Sequence, residues 1–549
     1  MKNEATRAMP IRARATFGTE FARAPAGQRP VVWSIAGSDT GAGAGLQADL
    51  KALQAFGVHG CTAVAAITAQ NSVAVTRVEP VSAELLDAQL AVLAQDMPPQ
   101  AIKTGLLGSV DNLRVVCRWV DRLRADGHAV ALVVDPVLGS STGATFADDA
   151  LLDAYCRQLL PRATLITPNR AEALRLLHAG EPGHPLQAAS APALAQALQA
   201  RWRMGTREWA PSDATVVQDC FSVVITGGDE VQADGLACDW LQSPQATGWL
   251  SLPRVSTAHH HGTGCTFAST AAAALASGYC VADAVVLAKM ATTHALRHAY
   301  PAGQGAGPVN PQPDFAQHIA NLPAFTLPGA TAPVVDKAAP PFAALSHPAL
   351  GVYAVVDSAA WVERVVAAGI RTVQLRIKDP ADPTLAAQIQ ASVAVARATP
   401  GTQLFINDHW QLALQHGAYG VHLGQEDLAQ VDLQALRNAG VRLGLSNHSY
   451  WEVARAWALR PSYIACGPIF ATQSKDMPWI PQGLDNLRYW AGVLPLPVVG
   501  IAGIDAGNVA EVAVTGAASA AVISAITKAD DPEAACAALL SGWATSRPA

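Results

Sequence analysis

The stretch VQLRIKD, residues 373–379, is one of eight short strand-like runs between residues 351 and 526, each followed by a helix-like segment. The other seven are GVYAVVD (351–357), QLFIND (403–408), GVHLGQED (420–427), RLGLSNH (442–448), YIACGPIF (463–470), PVVGIAGI (497–504) and AAVISAI (520–526). Eight βα units in roughly 200 residues are typical of a compact TIM barrel. A doubly wound sheet is the alternative, but nothing in the spacing marks a reversal of strand order.

Short runs rich in Val and Ile also alternate with helical stretches in the N-terminal half. They are VVWSIAG (31–37), ALVVDPV (131–137), TLITPN (164–169) and SVVITGG (222–228). This pattern predicts a buried, mostly parallel sheet in an α/β domain. A stretch rich in Pro, Ala and Gly separates the halves. The predicted division is a disordered tail (1–29), a first domain (30–305), a linker (306–345) and a barrel domain (346–549).

Composition narrows the class of protein. Of the 549 residues 50% are hydrophobic and 15% are charged, and the net charge of −6 leaves no basic stripe for nucleic acid. No apolar run is long enough for a membrane span, and the nine cysteines are scattered without a CxxC pair, as in a reducing compartment. We expect a cytoplasmic location, and we interpret the N-terminal tail as a disordered extension rather than a transit peptide.

Charged side chains concentrate where the barrel strands are predicted to end. Gln374, Arg376 and Lys378 alternate with apolar residues, so an amide and two cations share one face of the second strand. Two cations facing into a barrel are costly unless an anion meets them. Asp408 and Asp427 follow the next two strands and supply oxygen ligands. This combination predicts Mg²⁺ holding a di- or triphosphate.

The later strands of the barrel end in small and hydroxyl-bearing residues. Gly503, Ile523 and Ser524 end the last two strands, where backbone N–H groups could hold a second phosphate. The remaining candidates are Asn407, Ser446, Thr472, Ser474 and Lys475.

In this order QLRIKD, FIND, GVHLGQEDL, GPIFATQSK and VISAI resemble the thiamine phosphate synthases over residues 349–545. Such enzymes join hydroxymethylpyrimidine diphosphate to thiazole phosphate and release diphosphate, which leaves before the thiazole nitrogen captures the pyrimidine cation. Ala502 departs from the family pattern, which often has glycine there. The resemblance implies that Gln374, Arg376, Lys378, Asn407, Ser446 and Lys475 hold diphosphate, with Arg376 and Lys475 catalytic, that Asp408 and Asp427 bind Mg²⁺, and that Thr472, Ser474, Gly503, Ile523 and Ser524 bind thiazole phosphate.

A glycine-rich turn follows the first strand of the N-terminal domain. Residues 43–48 fit a G-x-G-x-x-A dinucleotide fingerprint, but no acidic residue that could hold a ribose occurs from 51 to 78. The glycines are better suited to admitting a flat ligand close to the backbone. Asp49 and Gln70 then offer an acceptor and an amide to a heterocycle.

Two further motifs suit phosphate chemistry. Asn169 and Glu172 form an N-x-x-E pair that could hold Mg²⁺ or its waters, and Gly262, Thr263 and Gly264 make a turn before a helix, which is an anion-binding geometry. A metal ion, an anion site and a heterocycle pocket together indicate phosphoryl transfer.

The motifs GTGCT, AGSD and QADL resemble those of the hydroxymethylpyrimidine and hydroxymethylpyrimidine phosphate kinases, which have the ribokinase-like α/β sandwich fold, over about residues 30–300. The resemblance implies that Asp49 and Gln70 bind the pyrimidine. It implies that Asn169, Glu172 and Thr263 organise Mg²⁺ and the co-substrate ATP, and that the turn containing Gly262, Gly264 and Cys265 is catalytic. Ser141 and Thr226 stand where the family often has lysine.

The run HHHGTGC (259–265) raises the question of a metal site. Consecutive residues in extended backbone alternate sides, so the three histidines cannot all face one ion. Cys265 opens the following helix, whose dipole favours a lowered thiol pKa. We interpret it as a weak base or as a small residue in the turn.

The two halves support one another, because the product of the kinase is the substrate of the synthase. We expect a bifunctional thiamine biosynthetic enzyme acting on these small molecules, with no nucleic-acid or membrane partner. A homodimer formed through an exposed strand edge is left open. The alternatives for the N-terminal half are a pyridoxal-type vitamin kinase and a degenerate pyrimidine-binding module. Residues 180–215 are longer than a connection requires and are interpreted as an insert or lid.

Overall fold

The structure is a computed structural model that describes residues 27–139, 146–178, 184–209, 221–228, 235–333, 340–471 and 480–546. The chain divides into two compact units at residues 335–336. Within the described residues, no helix has both the length and the apolar character needed to cross a membrane. The predicted tail lies almost entirely outside the described residues.

The first unit is built on one ten-stranded sheet with the order β10-β9-β8-β7-β6-β5-β4-β1-β2-β3. Strands β7, β6, β5, β4, β1 and β2 run parallel, as the sequence predicted. The strands are β1 Val31–Ser38, β2 His59–Gln70, β3 Val75–Pro80, β4 Ala101–Thr104, β5 Ala131–Val134, β6 Leu165–Ile166, β7 Ser222–Ile225, β8 Leu236–Gln242, β9 Thr247–Pro253 and β10 Ala324–Phe325. The helices are α1 Gly45–Phe56, α2 Ala83–Asp96, α3 Val110–Ala125, α4 Asp149–Ala154, α5 Arg170–Leu176, α6 Ala191–Trp209, α7 Thr263–Ala276 and α8 Val281–Arg297.

The alternation of side chains along β1 shows how this sheet is covered. Trp33 and Ile35 are buried in a core shared with helices α2 to α6, whereas Ser34 between them points to α1 and hydrogen-bonds Asp49. Period-two alternation therefore gives the sheet two covered faces, with α1 and α7 packed against each other on the second one. This is the expected ribokinase-like α/β sandwich.

Residues 308–326, which the sequence analysis assigned to the linker, are folded onto the first unit. Pro308 pairs with His261, and β10 extends the sheet by pairing antiparallel with β9. Phe315 is buried against Phe56, with ring centroids 6.1 Å apart. The predicted start of the linker at 306 is therefore wrong, because proline-rich composition conceals the apolar residues that anchor the segment.

A cluster of His294, Asp314 and His318 ties this segment to α8. Asp314 bonds His294 Nε2 at 3.1 Å and His318 Nε2 at 2.9 Å. Asn321 Nδ2, which also donates to the carbonyl of Phe315, lies 3.1 Å from His294 Nδ1. Because Nδ1 accepts this bond, Nε2 carries the proton and donates to Asp314. The three groups therefore form a hydrogen-bonded clamp rather than a set of free metal ligands.

The stretch interpreted as an insert or lid contains a helix of the core. In α6 the side chains of Leu194, Ala195, Leu198 and Trp202 are buried, and Trp202 stacks on Phe221 with ring centroids 4.4 Å apart. The helix forms part of the crossover between parallel strands β6 and β7. Its described part is therefore structural.

The second unit is a closed barrel of eight strands in the order β11 to β18, each paired in parallel with its neighbours. The TIM barrel prediction is confirmed, with one strand in each of the eight predicted runs. The strands are β11 Gly351–Val356, β12 Thr372–Leu375, β13 Gln403–Asn407, β14 Gly420–Leu423, β15 Arg442–Asn447, β16 Tyr463–Cys466, β17 Val498–Ile501 and β18 Ser519–Val522. The helices are α9 Ala359–Ala367, α10 Leu385–Ala398, α11 Trp410–His416, α12 Leu433–Asn438, α13 Tyr450–Leu459, α14 Gly483–Val493, α15 Val509–Ala513, α16 Ser524–Thr527 and α17 Pro532–Ser546.

Three aromatic rings fill the interior of the barrel. Tyr353, Phe405 and Tyr463 are buried, with centroids 5.1 to 6.0 Å apart. Two glycines make room for these rings. A Cβ on Gly420 would lie 2.4 Å from the ring of Phe405, and one on Gly444 would lie 2.1 Å from Cζ of Tyr463. The glycines therefore determine where the rings sit.

Ala502, just after β17, adopts a left-handed conformation with φ of 81°. Such a φ brings the Cβ of an L-residue too close to its own backbone, whereas glycine adopts it freely. The sequence analysis noted that related synthases often have glycine here. The structure provides the physical reason.

We predict that Ala502→Gly raises the free energy of unfolding of the barrel by about 1 kcal/mol, because it removes this strain. Urea-induced unfolding of the full chain measures this change in free energy. Pulse proteolysis reports, from peptides of the barrel, the fraction of the barrel that is unfolded at each urea concentration. The matched control is Ala439→Gly, at an exposed position with φ of −80°, where glycine relieves nothing and lowers stability. Equal destabilisation by both substitutions would contradict the prediction.

Candidate active sites

The loop between β1 and α1 is organised by one buried carboxylate. Asp39 Oδ1 accepts from the N–H of Gly41 at 2.8 Å, and Oδ2 accepts from Gly43 at 3.0 Å and Ala44 at 2.8 Å. Burial opposes its charge, but the hydrogen bonds from His261, Ala44 and Gly41 hold the pKa of the Asp39 carboxyl below its usual range. Asp39 therefore stays negatively charged at neutral pH and holds the loop between β1 and α1 in place through these hydrogen bonds.

This loop packs directly on the start of α7. Gly262, the N-cap, has φ of 87°, and a Cβ there would lie 2.1 Å from the carbonyl oxygen of Gly43. A Cβ on Gly43 would in turn lie 2.2 Å from the ring of His261. A side chain at Gly262 would therefore collide with the loop backbone, and one at Gly43 would collide with the His261 ring. The start of α7, where Thr263 is half-buried and Gly264 is exposed, is thereby held at the carboxyl edge of the sheet.

The three histidines before this turn have three different environments. His259 Nδ1 accepts from the N–H of Gly307 at 3.1 Å, and His260 is exposed. His261 Nε2 lies 3.2 Å from Asp39 Oδ2 and 3.3 Å from Gln70 Nε2. Since the carboxylate only accepts, His261 donates to Asp39. The run therefore supports the loop, and Gln70 borders it.

Asp49 does not face a ligand pocket, and its predicted role in binding the pyrimidine is wrong. The carboxylate is fully buried and accepts from Ser34 at 2.6 Å, Ser269 at 2.8 Å and Lys103 at 2.9 and 3.0 Å. These four bonds use its acceptor positions. Asp49 links α1 to β1, β4 and α7 from within the protein.

Lys103 joins Asp49 to a second acid at the carboxyl end of the sheet. Its Nζ lies 3.7 Å from Oδ2 of Asp135, the residue that follows β5. Burial opposes its charge, but the carboxylates of Asp49 and Asp135 hold the pKa of Lys103 above its usual range. Asp135 lies next to the turn, since its Oδ2 is 4.0 Å from the position that a Cβ on Gly264 would take. Burial raises the pKa of Asp135 against the pull of Lys103.

The Cys265 thiol interacts with the charges of Lys103, Asp49 and Asp135, and it is neutral. Burial, with smaller contributions from the Asp49 and Asp135 charges, raises the pKa of the thiol to about 12, although Lys103 acts in the opposite direction. The lowered thiol pKa expected from the helix dipole is therefore wrong, because desolvation outweighs the dipole. A neutral thiol favours the interpretation of Cys265 as a small residue in the turn.

The N-x-x-E pair is a helix cap. Asn169 Oδ1 accepts from the N–H of Glu172 at 2.9 Å, and Glu172 Oε2 accepts from the N–H of Asn169 at 3.0 Å. This capping box uses one oxygen of each side chain to start α5. Thr226 pairs with Asn169 at the same edge of the sheet. Ser141 lies outside the described residues.

In the barrel, the predicted polar residues gather at the end where the parallel strands finish. Strand β12 buries Gln374 and ends at Leu375, and beyond it Arg376 is half-buried, Ile377 is buried and Lys378 is exposed. Asn407 ends β13, and Asp408 after it has φ of 59°. Partial burial and the charge of Asp427 raise the pKa of the Asp408 carboxyl, while Arg376 lowers it. Arg376 and two mutually repelling carboxylates are therefore neighbours.

The remaining barrel candidates follow later strands. Ser446 lies in β15, Gly503 follows β17, and Ile523 and Ser524 stand at the junction of β18 and α16. Gly503 has φ of 69°, and a Cβ there would lie 2.6 Å from that of Phe470. Thr472, Ser474 and Lys475 lie outside the described residues.

Sequence reasoning missed several residues that the structure brings to the two sites. In the first unit they are Asp39 and Asp135, which follow strands and could have been found by that position, and Lys103, which lies within β4. In the barrel they are His422 and Tyr463, which lie inside strands and give no local signal. Only the closed barrel brings them under the polar residues.

The fold and sites define a two-unit transferase, with a glycine-rich helix start in one unit and an arginine beside two carboxylates at the mouth of a TIM barrel in the other. Residues 39–310 match the phosphomethylpyrimidine kinase family, and residues 352–526 match the thiamine monophosphate synthase family.

Three proteins similar to this chain are a bifunctional enzyme, a synthase and a kinase of known structure. The probable thiamine biosynthetic bifunctional enzyme, chloroplastic, of Oryza sativa subsp. japonica is 32% identical over 516 residues, which are 90% of this chain and 86% of that protein. The thiamine-phosphate synthase of Serratia proteamaculans is 54% identical over 36% of this chain and 94% of its own. The pyridoxal kinase of Bacillus subtilis, solved with ADP, is 29% identical over 52% of this chain and 97% of its own, with a TM-score of 0.43.

This chain belongs to the bifunctional thiamine biosynthetic enzymes, in which a phosphomethylpyrimidine kinase domain and a thiamine-phosphate synthase domain are fused.

We predict that Lys103→Met lowers the free energy of unfolding of the first unit by about 3–5 kcal/mol, because it leaves the Asp49 carboxylate buried without its cation. Adding Asp49→Asn removes the charge and restores part of the loss. Chemical unfolding of both variants measures this. If Asp49→Asn alone left stability unchanged and weakened only pyrimidine binding, Asp49 would be a ligand-binding residue after all.

We predict that Asp39→Asn lowers kinase kcat/KM at least about tenfold, because a charged acceptor for three loop N–H groups is lost. Synthase activity of the same variant remains unchanged. With its pKa lowered below 3.8, Asp39 supports the loop at all pH values above 3.8, and the support is lost only as pH falls through the lower folded value.

The matched control is Asp148→Asn, which alters an exposed carboxylate that caps α4 through the N–H of Leu151. Kinase activity that falls equally in both variants would contradict a specific role of Asp39.

Proposed function

We propose that the first unit transfers phosphoryl groups from ATP to hydroxymethylpyrimidine and its phosphate, and that the barrel joins the resulting diphosphate to thiazole phosphate. The proposal rests on the pairing, in one chain, of a helix-start anion turn with a barrel mouth that holds Arg376, Asp408 and Asp427. The first is suited to a phosphoryl group in transfer, and the second to a departing diphosphate.

In the first unit, the start of α7 directs backbone N–H groups at the transferred phosphoryl group. Asp39 and His261 hold the facing glycine loop in place, so that the turn is preorganised. Gln70 remains the candidate for contact with the pyrimidine. The side-chain oxygens of Asn169 and Glu172 that accept hydrogen bonds in the capping box would have to bind Mg²⁺ as well. Asp135 offers a further carboxylate beside the turn. A neutral Cys265 thiol supports a transfer that does not use a thiolate base.

In the barrel, Asp408 and Asp427 fit a magnesium ion. The charge of Asp427 raises the pKa of the Asp408 carboxyl, and a bound cation would reduce this repulsion. Mg²⁺ in enzymes commonly binds one or two carboxylates together with substrate phosphates. Bound there, Mg²⁺ would neutralise charge on the diphosphate. Arg376 and Ser446 hold the same group, and Gly503, Ile523 and Ser524 receive thiazole phosphate. Lys378, Thr472, Ser474 and Lys475 keep the roles that the sequence resemblance implies.

A cytoplasmic location and a homodimer remain predictions from the sequence. The rice relative is named as chloroplastic.

The test is one incubation of the purified chain with hydroxymethylpyrimidine, Mg-ATP and thiazole phosphate. We expect thiamine phosphate to form without added pyrimidine diphosphate. Absence of product, with synthesis restored by added hydroxymethylpyrimidine diphosphate, would contradict the kinase assignment and favour a degenerate binding module. Faster phosphorylation of pyridoxal than of hydroxymethylpyrimidine would favour a vitamin kinase of the pyridoxal type.

A further inference from the structure

A chain of hydrogen bonds crosses the interior of the barrel from Gln374 to Ser446. Gln374 Nε2 lies 3.2 Å from the hydroxyl of Tyr353, which lies 2.8 Å from the hydroxyl of Tyr463. The Tyr463 hydroxyl lies 2.7 Å from His422 Nδ1, and His422 Nε2 lies 2.8 Å from Ser446 Oγ. We call these five residues the barrel relay. It links Gln374 and Ser446, two residues that the sequence resemblance assigns to diphosphate.

The relay has a direction that its first member determines. An amide nitrogen only donates, so Tyr353 accepts from Gln374 and must donate onward to Tyr463. Tyr463 then donates to His422 Nδ1. Each ring nitrogen of His422 has one partner in the relay, so the nitrogen that accepts from Tyr463 carries no proton and the other nitrogen carries one. With Nδ1 accepting, that proton is on Nε2 and is donated to Ser446 Oγ.

Burial and packing keep the relay in place. Tyr353, Tyr463, Gln374 and His422 are all buried, so an unpaired hydroxyl or ring nitrogen would have no water to replace its partner. The ring of Tyr463 lies over Gly444, where a Cβ would be 2.1 Å from Cζ. The order of donors therefore cannot change at one link alone. A reversal would need the Gln374 amide oxygen to face Tyr353, together with a change of donor at each of the remaining links.

We propose that the barrel relay makes Ser446 a hydrogen-bond donor toward the diphosphate of the substrate, with Tyr353, Tyr463 and His422 as positioning residues. Because Ser446 Oγ already accepts from His422, its own hydrogen is left for a partner outside the relay. A diphosphate oxygen only accepts and suits such a donor. The inference rests on the proposed synthase function. The inference adds that Tyr353, Tyr463 and His422, which are buried in the barrel interior, orient Ser446 to donate to an anion.

The first test reads the tautomer of His422 directly, independent of activity. In a chain labelled with ¹⁵N at histidine, the His422 signals are identified by their loss in His422→Gln. We expect a protonated Nε2 and an unprotonated Nδ1 at pH 7. A protonated Nδ1 would mean that the relay runs in reverse, with Ser446 donating to His422, and would overturn the proposal.

The second test is a double-mutant cycle on synthase activity, started from hydroxymethylpyrimidine diphosphate and thiazole phosphate. We expect Tyr463→Phe to lower kcat/KM for the diphosphate substrate about tenfold, as loss of one oriented charge-assisted bond does. In Ser446→Ala the same change at Tyr463 should cost little more, because its effect acts through Ser446. Independent, multiplicative losses would overturn the proposal.

The matched control is Tyr419→Phe. This substitution also removes a hydrogen-bonded hydroxyl, which donates to Gln403 Oε1 at 2.5 Å, but Tyr419 lies outside the relay. We expect near-normal kcat/KM. If Tyr463→Phe fails to fold by circular dichroism, Tyr353→Phe replaces it in the cycle with the same expected result. An unmodified chain that makes no thiamine phosphate from these two substrates would instead refute the synthase function, so the two failures are distinguishable.

Discussion

Parallel strands that finish at one edge are the constraint on which both units of this chain depend. In the first unit this edge collects Asp39, Gln70, Asp135 and Asn169, and in the barrel it collects Arg376, Asp408, Asp427 and Ser446. Loops at such an edge can vary while the sheet holds them in place. Helix α7 starts at the same edge of the first unit, where its first residues pack against the glycine loop between β1 and α1.

The second constraint is that polar groups buried beneath such an edge need partners. Asp49 and Lys103 neutralise each other under the anion turn, and Lys103 extends the pairing to Asp135. In the barrel, neutral groups serve instead, with Tyr353, Tyr463 and His422 bonded in series. Each network connects several strands or helices, so each fixes the geometry above it. Both candidate sites are therefore held in place by polar groups that are buried and bonded to one another.

Much of this architecture could be predicted from local pattern. The eight barrel strands and the parallel sheet follow from short apolar runs with polar ends, and the GTGC turn follows from glycines before a helical stretch. The errors have a common cause. Asp49 was assigned to a pocket because an acid beside a glycine-rich turn can offer an acceptor to a heterocycle. Residues 308–326 were assigned to a linker because proline and glycine outweighed Phe315 and the two residues of β10. In both cases burial by distant segments decided the outcome.

By itself the sequence determined the two folds, the family resemblance and the edge at which the sites lie, because periodicity and strand ends are properties of neighbouring residues. Which polar residues are paired internally depends on the tertiary structure. Asp49 is paired with Lys103, 54 residues away, and His422 with Tyr463, 41 residues away. Such partners meet only when the sheet and barrel assemble. Desolvation, which keeps the Cys265 thiol neutral, likewise exists only in the packed protein.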